Sequence, residues 1–320
     1  MIQGLPSSAL PLMNDGEVKN QGFEMVLGYQ KQFKNGLSVS ANANFSYAKN
    51  KVLEYDEPLL GKDYAYRTRT TGFSLGQNWG YIIDHSYDPE KGRDGTGFFY
   101  SDESIAKSGL TYEGVGTPEP GDFIYKDLNG DGVINDDDRT KIGKGIPDWT
   151  LGLSLNLEWK GFDFGMFWQG VGKRDMMLRG ELIEPFHANY SYNIYKHQLD
   201  FWTPTNTDAR WPRLTAPGST SNRNNYGNGQ GSDLFLMDGK YLRLKNLQIG
   251  YTFPKTWSRK VGMEKARIYV NGQNLLTFSN NSFIDPESSE FDSKMGNSGA
   301  NSGRNYPTLR YYGFGIDIEF

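Results

Sequence analysis

The C-terminal stretch of the chain, residues 306–320, alternates between large apolar groups and small or charged ones. Neighbouring side chains of a β-strand point to opposite faces, so a strand here would collect all the large groups on one face. These groups are Tyr312, Phe314, Ile316, Ile318 and Phe320. Such a strand fits a sandwich, where the apolar face meets a second sheet, or a membrane barrel, where it meets lipid.

The same alternation recurs along the chain and predicts seven strands. Their ranges are 22–33, 37–52, 149–159, 162–170, 240–253, 266–278 and 306–320. Trp149–Trp159 is the clearest, with a leucine at every second position between the two tryptophans. In the strand at 240–253 the apolar positions change parity, which predicts a β-bulge near Lys245 and Asn246.

The connections between these strands alternate in length. Short links at 34–36, 160–161 and 254–265 alternate with long excursions at 54–147, 171–239 and 279–305. Outer-membrane barrels are built with short turns on the periplasmic side and long loops outside the cell. The sequence therefore predicts an all-β, antiparallel up-and-down transmembrane barrel segment of about seven to eight strands, with long extracellular loops. Single-chain bacterial barrels have even strand counts from about eight upwards, so we expect a portion of a larger barrel.

Composition and charge exclude other classes of protein. A formal charge of -4 and the absence of Cys argue against nucleic-acid partners, disulfides and thiol chemistry. No stretch has the roughly 18 apolar residues that a spanning helix needs. Met1 is followed by neither a basic start nor an apolar segment, so we expect either a cytosolic protein or a piece of a longer chain.

The segment Asp127–Asp138, with the sequence DLNGDGVINDDD, predicts a calcium loop of EF-hand type. The predicted ligands are Asp127, Asn129, Asp131, the Val133 carbonyl, Asn135 and Asp138. Gly132 would make the sharp turn of the loop. The last ligand is Asp rather than Glu and no helical pattern flanks the loop, so a solvated Asx-rich turn is the alternative.

Aromatic side chains are concentrated in the second excursion. They are Phe186, Tyr190, Tyr192, Tyr195, Trp202 and Trp211. We expect ligand or partner contacts from the two tryptophans and the three tyrosines, because such rings stack on sugars or pack against a partner protein. The alternative is that they form a small core for the loop itself.

The predicted strands define the residues expected to face lipid. These are Leu151, Leu153, Leu155, Leu157, Phe314, Ile316 and Ile318. Aromatic residues at strand ends, such as Trp159 and Tyr251, are typical of the girdles at membrane interfaces. No catalytic motif is recognisable, so we do not expect an enzyme.

Several phrases of the sequence resemble one known family. They include GEVKNQGFEM at 16–25, PGDFIYKDLNGDGVINDDDRTKIG at 120–143, FWTPTNTDARWPRL at 201–214 and YLRLKNLQIGYTFP at 241–254. The chain resembles the C-terminal third of SusC/RagA-type TonB-dependent outer-membrane transporters.

The resemblance implies a fold, a location and partners. It implies a 22-stranded barrel with an N-terminal plug in the outer membrane of a Bacteroidota-type envelope. It implies import of oligosaccharides or peptides together with a SusD-like surface lipoprotein. Coupling to the TonB complex would run through an N-terminal part that this chain lacks. The terminal Phe320 resembles the aromatic signal that barrel assembly machinery recognises.

Two other classes of function stay open at this stage. One is a soluble calcium-dependent β-rich module that binds glycans through the same loop and aromatic residues. The other is a glycan-cleaving enzyme of β-rich fold. A barrel segment would need detergent on extraction, whereas either alternative would be soluble.

Overall fold

The computed structural model describes residues 16–55, 57, 70–113, 116–187, 193–226, 231–281, 284–287 and 306–320. Seven long strands are β1 (Gly16–Gln32), β2 (Ser38–Tyr55), β9 (Trp149–Trp159), β10 (Phe162–Gly172), β13 (Tyr241–Thr252), β14 (Lys265–Ser279) and β15 (Tyr311–Glu319). Short strands are β3 (Gln77–Gly80), β4 (Tyr87–Asp88), β5 (Arg93–Asp94), β6 (Thr111–Tyr112), β7 (Val133–Ile134), β8 (Thr140–Lys144), β11 (Asp175–Met177) and β12 (Leu236–Asp238). Within these described ranges, three short α-helices are α1 (Asp102–Ser108), α2 (Thr220–Tyr226) and α3 (Lys255–Ser258).

The seven long strands form one antiparallel sheet in the order β1-β2-β9-β10-β13-β14-β15. Each strand pairs with the next long strand along the chain, which is up-and-down topology. The all-β prediction and all seven predicted strands are confirmed, but the last strand begins at Tyr311 rather than at residue 306. The sheet is open, with β1 and β15 at its edges. Among the described helices, none is long and apolar enough to cross a membrane.

The register of the sheet sorts its side chains into two faces. One row across six strands consists of Val39, Leu157, Phe164, Ile249, Val270 and Phe314. The adjacent row, one residue along each strand, consists of Gln30, Ser40, Asn156, Gly165, Gln248, Asn271 and Gly313. We call the first side of the sheet the apolar face and the second the polar face. Because the period of a strand is two, pairing in register separates the two chemistries across the sheet. Two exceptions are Lys31, which pairs with Val39 on the apolar face, and Phe167, which pairs with Ser154 on the polar face.

The predicted bulge lies where the parity of β13 changes. The register of β13 against β14 shifts between Leu244 and Asn246, and the register against β10 shifts at the same place. The extra residue returns Leu247, Ile249 and Tyr251 to the apolar face. The bulge prediction is confirmed.

The link between β9 and β10 is as tight as the sequence predicts. Lys160 and Gly161 have φ of 50° and 89°, the left-handed pair that a two-residue hairpin requires. A Cβ on Gly161 would lie 2.6 Å from the Thr252 carbonyl oxygen, so glycine also allows the neighbouring strand to approach.

The first two long excursions, which lie between β2 and β9 and between β10 and β13, fold together at the end of the sheet opposite the short turns. We call the described residues of 70–148 and 173–240 the cap. The buried core of the cap consists of Ile83, Phe98, Phe99, Tyr112, Phe123, Ile124, Tyr125, Ile134, Met177, Leu178, Leu182, Ile183, Trp202, Ala209, Trp211, Tyr226 and Phe235. Both excursions contribute to this single core. Hydrophobic burial therefore holds the cap together as it does in a soluble domain.

Candidate functional site

The apolar face carries the residues predicted to contact lipid. Phe314 is 68% exposed, Ile316 57%, Ile318 46% and Leu153 37%. Leu151, Leu155 and Leu157 are half-buried between their strand neighbours. Large apolar groups exposed over adjacent strands need another apolar phase to cover them.

The polar face holds a shallow cavity near the middle of the sheet. Its volume is about 380 Å³, and Asn156, Gln248 and Asn271 are among its lining residues. Phe167 also lines the cavity and is the aromatic residue that interrupts the polar pattern of β10. Amides beside one ring give this face both hydrogen-bonding and stacking capacity.

Ionic contacts reinforce the polar face near the end with short turns. Arg267 on β14 donates to Asp163 on β10 at 2.9 and 2.6 Å, and to Asp317 on β15 at 2.9 Å. The pair between Arg267 and Asp163 crosses β13 at Gly250, where a Cβ would lie 2.5 Å from an Asp163 oxygen. Glycine at this position is what lets one arginine join strands on both sides of β13.

A second ionic cluster joins the sheet to the loop after β14. Arg243 is 4% exposed and pairs with Asp285 at 2.7 Å and with Glu287. Lys245 donates to the same glutamate at 2.9 Å, and Arg174 donates to the Pro286 carbonyl at 2.8 Å. We call these contacts the DPE clamp.

The pKa of Asp285 reflects this environment. Burial by itself would raise the pKa, but hydrogen bonds from Arg243 and Thr308 outweigh burial and lower the pKa of Asp285 to about 2. The ionised carboxylate is therefore the form that holds the loop.

The predicted calcium loop is a tight turn held by its own side chains. The two carboxylate oxygens of Asp127 accept from the N–H groups of Gly130 and Gly132 at 2.6 and 2.8 Å. Asp131 accepts from the Val133 N–H at 2.7 Å. Gly130 and Gly132 have φ of 80° and 81°, which only glycine adopts without strain.

Asp138 closes the loop. This residue is fully buried and accepts from the N–H groups of Leu128 at 2.7 Å and Asn135 at 2.9 Å. Burial raises the pKa of Asp138, the two N–H donors lower it part of the way, and the charges of Asp127 and Asp131 raise it further. The negative charges of Asp127 and Asp131 therefore disfavour the ionised form of Asp138.

The donor set of this loop suits a hard cation. Carboxylate, amide and carbonyl oxygens are the ligands that calcium prefers. Within the described residues, however, no three His, Cys, Asp or Glu side chains already form a metal-binding group. In the described geometry the carboxylate oxygens of Asp127 and Asp131 accept from backbone N–H groups.

The structure places the two candidate tryptophans in the core of the cap. Trp202 is 6% exposed and Trp211 is 3% exposed. Trp211 stacks on Phe235 with ring centroids 6.0 Å apart. Neither ring presents a free face to a ligand, so the expectation of a binding platform is wrong for these two residues and the core alternative holds. The reason is that the first excursion packs over them.

Tyr195 differs from the tryptophans because it is 41% exposed. Its ring stacks on His197 at 5.7 Å, and the ring of His197 lies 5.5 Å from that of Trp211. Burial lowers the pKa of His197. Tyr190 and Tyr192 lie outside the described residues.

Asp122 is a buried polar group that the sequence pattern does not single out. It accepts from the Ser221 hydroxyl at 2.8 Å and from the Asn225 amide at 2.9 Å, both in α2. Burial raises the pKa of this carboxyl. Asp122 lies in the first excursion and α2 in the second, so this network ties the two halves of the cap. In the sequence, an Asp after Pro-Gly reads only as a turn.

Comparison with known proteins finds relatives along almost the whole chain, although no family model matches. TonB-dependent receptor P3 of Formosa agariphila is 30% identical over 319 residues, covering 97% of this chain and 29% of that receptor. TonB-dependent receptor P26 of the same organism is 29% identical over 313 residues, covering 97% of this chain and 30% of the relative. TonB-dependent receptor SusC of Bacteroides thetaiotaomicron is 27% identical over 177 residues, covering 53% of this chain and 16% of SusC.

A solved structure shares the fold. A chain of the RagAB peptide transporter matches with a TM-score of 0.62 and 22% identity, covering 96% of this chain and 30% of the other. The present chain thus spans about 30% of the length of the proteins that it matches most fully.

The up-and-down sheet, with one apolar and one polar face, defines the chain as a segment of a transmembrane β-barrel. The sequence matches then identify it as a SusC/RagA-like segment of a TonB-dependent receptor. The family resemblance read from the sequence is confirmed.

Proposed function

We propose that this chain forms part of the wall and the external cap of an outer-membrane transporter that imports oligosaccharides or peptides. The apolar face would contact lipid and the polar face would line the transport path. A SusD-like lipoprotein would dock over the cap. The TonB complex would act through a part of the protein that lies outside this chain.

The separation of the two faces carries the proposal. The row from Val39 to Phe314 is apolar across six strands, and the adjacent row is made of amides, serine and glycine. In a soluble module the first row would need a second layer, and the described part of the chain packs none against it. This observation favours the transporter over a soluble glycan-binding module.

Membrane fractionation and uptake test the proposal. The full-length protein should float with the outer membrane in a density gradient and should resist carbonate extraction. A strain lacking the gene should lose growth on at least one member of a panel of oligosaccharides and peptides, and the wild-type gene should restore it. A carbonate-soluble protein, or unchanged growth on the whole panel, would overturn the proposal.

We also propose that the loop Asp127–Asp138 binds calcium and stiffens the cap. The charges of Asp127 and Asp131 bear on the buried Asp138, and a divalent cation would relieve their repulsion. Asp127, Asn129, Asp131, Val133, Asn135 and Asp138 would provide oxygen ligands. Extracellular calcium modules work with dissociation constants of about 0.1 to 1 mM.

Calcium-dependent melting tests this second proposal. Millimolar calcium should raise the melting temperature of the wild-type protein, and Asp131→Ala should abolish the rise. Asp136→Asn is the matched control, because Asp136 lies in the same acidic run but outside the ligand set. A rise of equal size in wild type and Asp131→Ala would contradict the calcium site.

A further inference from the structure

The connection between β13 and β14 differs from the other short turns. Residues 254–264, which we call the basic turn, contain α3 and a single 3₁₀ turn at Arg259–Val261. Two apolar side chains project from it into solvent, with Trp257 61% exposed and Val261 65% exposed. A turn has no local reason to expose two such groups, so they indicate a contact surface.

The basic turn has a defined shape. The Trp257 N–H donates to the Pro254 carbonyl at 2.8 Å, and the Met263 N–H donates to the Ser258 carbonyl at 3.0 Å. Ser258 is 3% exposed, and its hydroxyl lies 3.3 Å from the Lys255 carbonyl. Gly262 ends the helical part with φ of 78°. The exposed groups are therefore displayed from a hydrogen-bonded scaffold.

Trp257 continues the apolar face of the sheet. Its ring stacks on Phe253 with centroids 6.5 Å apart, and Phe253 contacts Tyr251 at 5.3 Å. Tyr251 in turn contacts Phe162 at 4.5 Å. An unbroken series of rings thus runs from the apolar face to the tip of the turn.

The basic turn carries three exposed cations beside Trp257 and Val261 in the sequence. Lys255 and Arg259 are 72% and 62% exposed, and Lys260 is exposed as well. The one carboxylate of the turn, Glu264, lies 3.2 Å from Arg259 and 3.9 Å from Lys255. Three cations against one carboxylate leave the turn positively charged.

We propose that the basic turn binds the headgroups of anionic phospholipids at the surface of the membrane. Trp257 and Val261 would enter the boundary between headgroups and acyl chains, and Lys255, Arg259 and Lys260 would contact the phosphates. Charge complementarity and continuity with the apolar face favour a lipid over free phosphate, which would leave the two apolar groups uncovered. This inference rests on the proposed membrane location.

Native mass spectrometry of the full-length protein, released from detergent micelles, tests the inference. Phosphatidylglycerol is the anionic probe, phosphatidylcholine the neutral one and inorganic phosphate the competitor. The wild type should retain phosphatidylglycerol in preference to phosphatidylcholine, and excess phosphate should displace little of it. Retention should fall about fivefold for each cation removed in the series K255Q, R259Q and K260Q. Trp257→Ser should weaken retention of both lipids.

Matched controls are available in the cap. The first control is a triple variant that removes three exposed cations of the cap instead of the three in the basic turn. Its substitutions are Lys91→Gln, Lys126→Gln and Lys196→Gln. Tyr87→Ser removes an exposed ring, since Tyr87 is 76% exposed. Neither control should change lipid retention.

Three results would overturn the inference. One is equal retention in the wild type and in the triple variant of the basic turn, which is also the result expected if an acidic protein rather than a lipid is the partner. Another is complete displacement by phosphate. The third is failure of the wild type to float with the outer membrane, which would remove the proposed function as well. Normal flotation with unchanged lipid retention removes this inference alone.

Discussion

The sheet and the cap solve the same problem of hydrophobic burial in opposite ways. In the sheet, Phe314 and Ile316 point outward and are 68% and 57% exposed. In the cap, Phe99 and Phe235 are fully buried. The apolar groups of the sheet therefore need an external apolar phase to cover them. The apolar groups of the cap are covered by the cap itself.

This contrast indicates which medium each region is built for. A lipid-facing strand needs only alternation, because lipid covers one face and the polar interior accepts the other. A water-exposed excursion must instead gather apolar residues from distant parts of the chain. The cap does so by joining two excursions that β9 and β10 separate in the sequence.

The variant with the largest expected effect on stability tests whether the two excursions of the cap share one core. Phe123 is 1% exposed and stacks on Phe98 at 5.3 Å while its edge meets Phe235 at 6.3 Å. Phe123→Ala should cost about 3 to 5 kcal/mol, because it leaves a cavity in the core. Hydrogen exchange should show lost protection in both excursions and unchanged protection in β9 and β10.

Tyr87→Ala is the control for this experiment. Tyr87 lies in the same excursion but is 76% exposed, so its removal should leave exchange unchanged. If Phe123→Ala affects residues 70–148 and spares 173–240, the idea of a shared core fails.

The second effect tests the two faces of the sheet. Leu155 pairs with Ala41 and Met166 on the apolar face, and Asn156 is its neighbour on the polar face. Leu155→Arg should destabilise the protein in lipid vesicles by about 2 to 4 kcal/mol, because a charge would face the bilayer. Denaturant unfolding followed by tryptophan fluorescence measures the change.

The matched variant is Asn156→Arg, which places the same charge one residue away. On the polar face it should cost much less, since this side would line a polar interior. Equal costs for the two variants would show that the faces do not meet different media.

The third effect tests the DPE clamp, which connects the two regions. The pKa of Asp285 is lowered to about 2, so its ionisation stabilises the folded state. This stabilisation is complete above about pH 4 and disappears as the pH falls through 2, and it amounts to about 2 kcal/mol at neutral pH. Asp285→Asn should lower the melting temperature at pH 7 and have little effect near pH 2.

Asp208→Asn serves as the control, because Asp208 is an exposed cap residue. It should leave the melting temperature unchanged at both pH values. A pH-independent difference between wild type and Asp285→Asn would mean that the charge of Asp285 does not hold the loop.

The smallest effect on stability concerns the terminal residue. Phe320 is 89% exposed and lies just beyond β15. Deleting it should change the free energy of unfolding by less than about 0.5 kcal/mol. Insertion into the outer membrane in a pulse-chase experiment should nevertheless slow, if the terminal aromatic group is the assembly signal. Normal insertion kinetics would remove that role from Phe320.

The sheet could be predicted from the sequence because the alternation that defines its strands is a local pattern. Alternation at every second residue gave the strands, and the change of parity in β13 gave the bulge at Leu244 and Asn246. The acidic loop at 127–138 was recognisable from spacing alone. Its geometry follows from Asx turns and two glycines, which are also local features.

The packing of the cap could not be predicted from local patterns. Trp202 and Trp211 read equally well as a binding platform or as core, and only the packing of the first excursion over them selects the core. Asp122 reads as a turn residue until Ser221 and Asn225 are placed beside it. The partners of such residues lie about a hundred positions away, and no periodicity records them.

The sequence by itself determined the strands, their order, the separation of polar and apolar faces and the family to which the chain is related. These properties depend on the period of the strand and on short motifs. The tertiary structure alone decided that two excursions share one core, that Arg243 holds the loop at 284–287, and that the ring series reaches Trp257. The shared core and the contacts of Arg243 depend on residues far apart in sequence, and the ring series joins β10 only through the contact between Tyr251 and Phe162. Such contacts form only when the whole chain has folded.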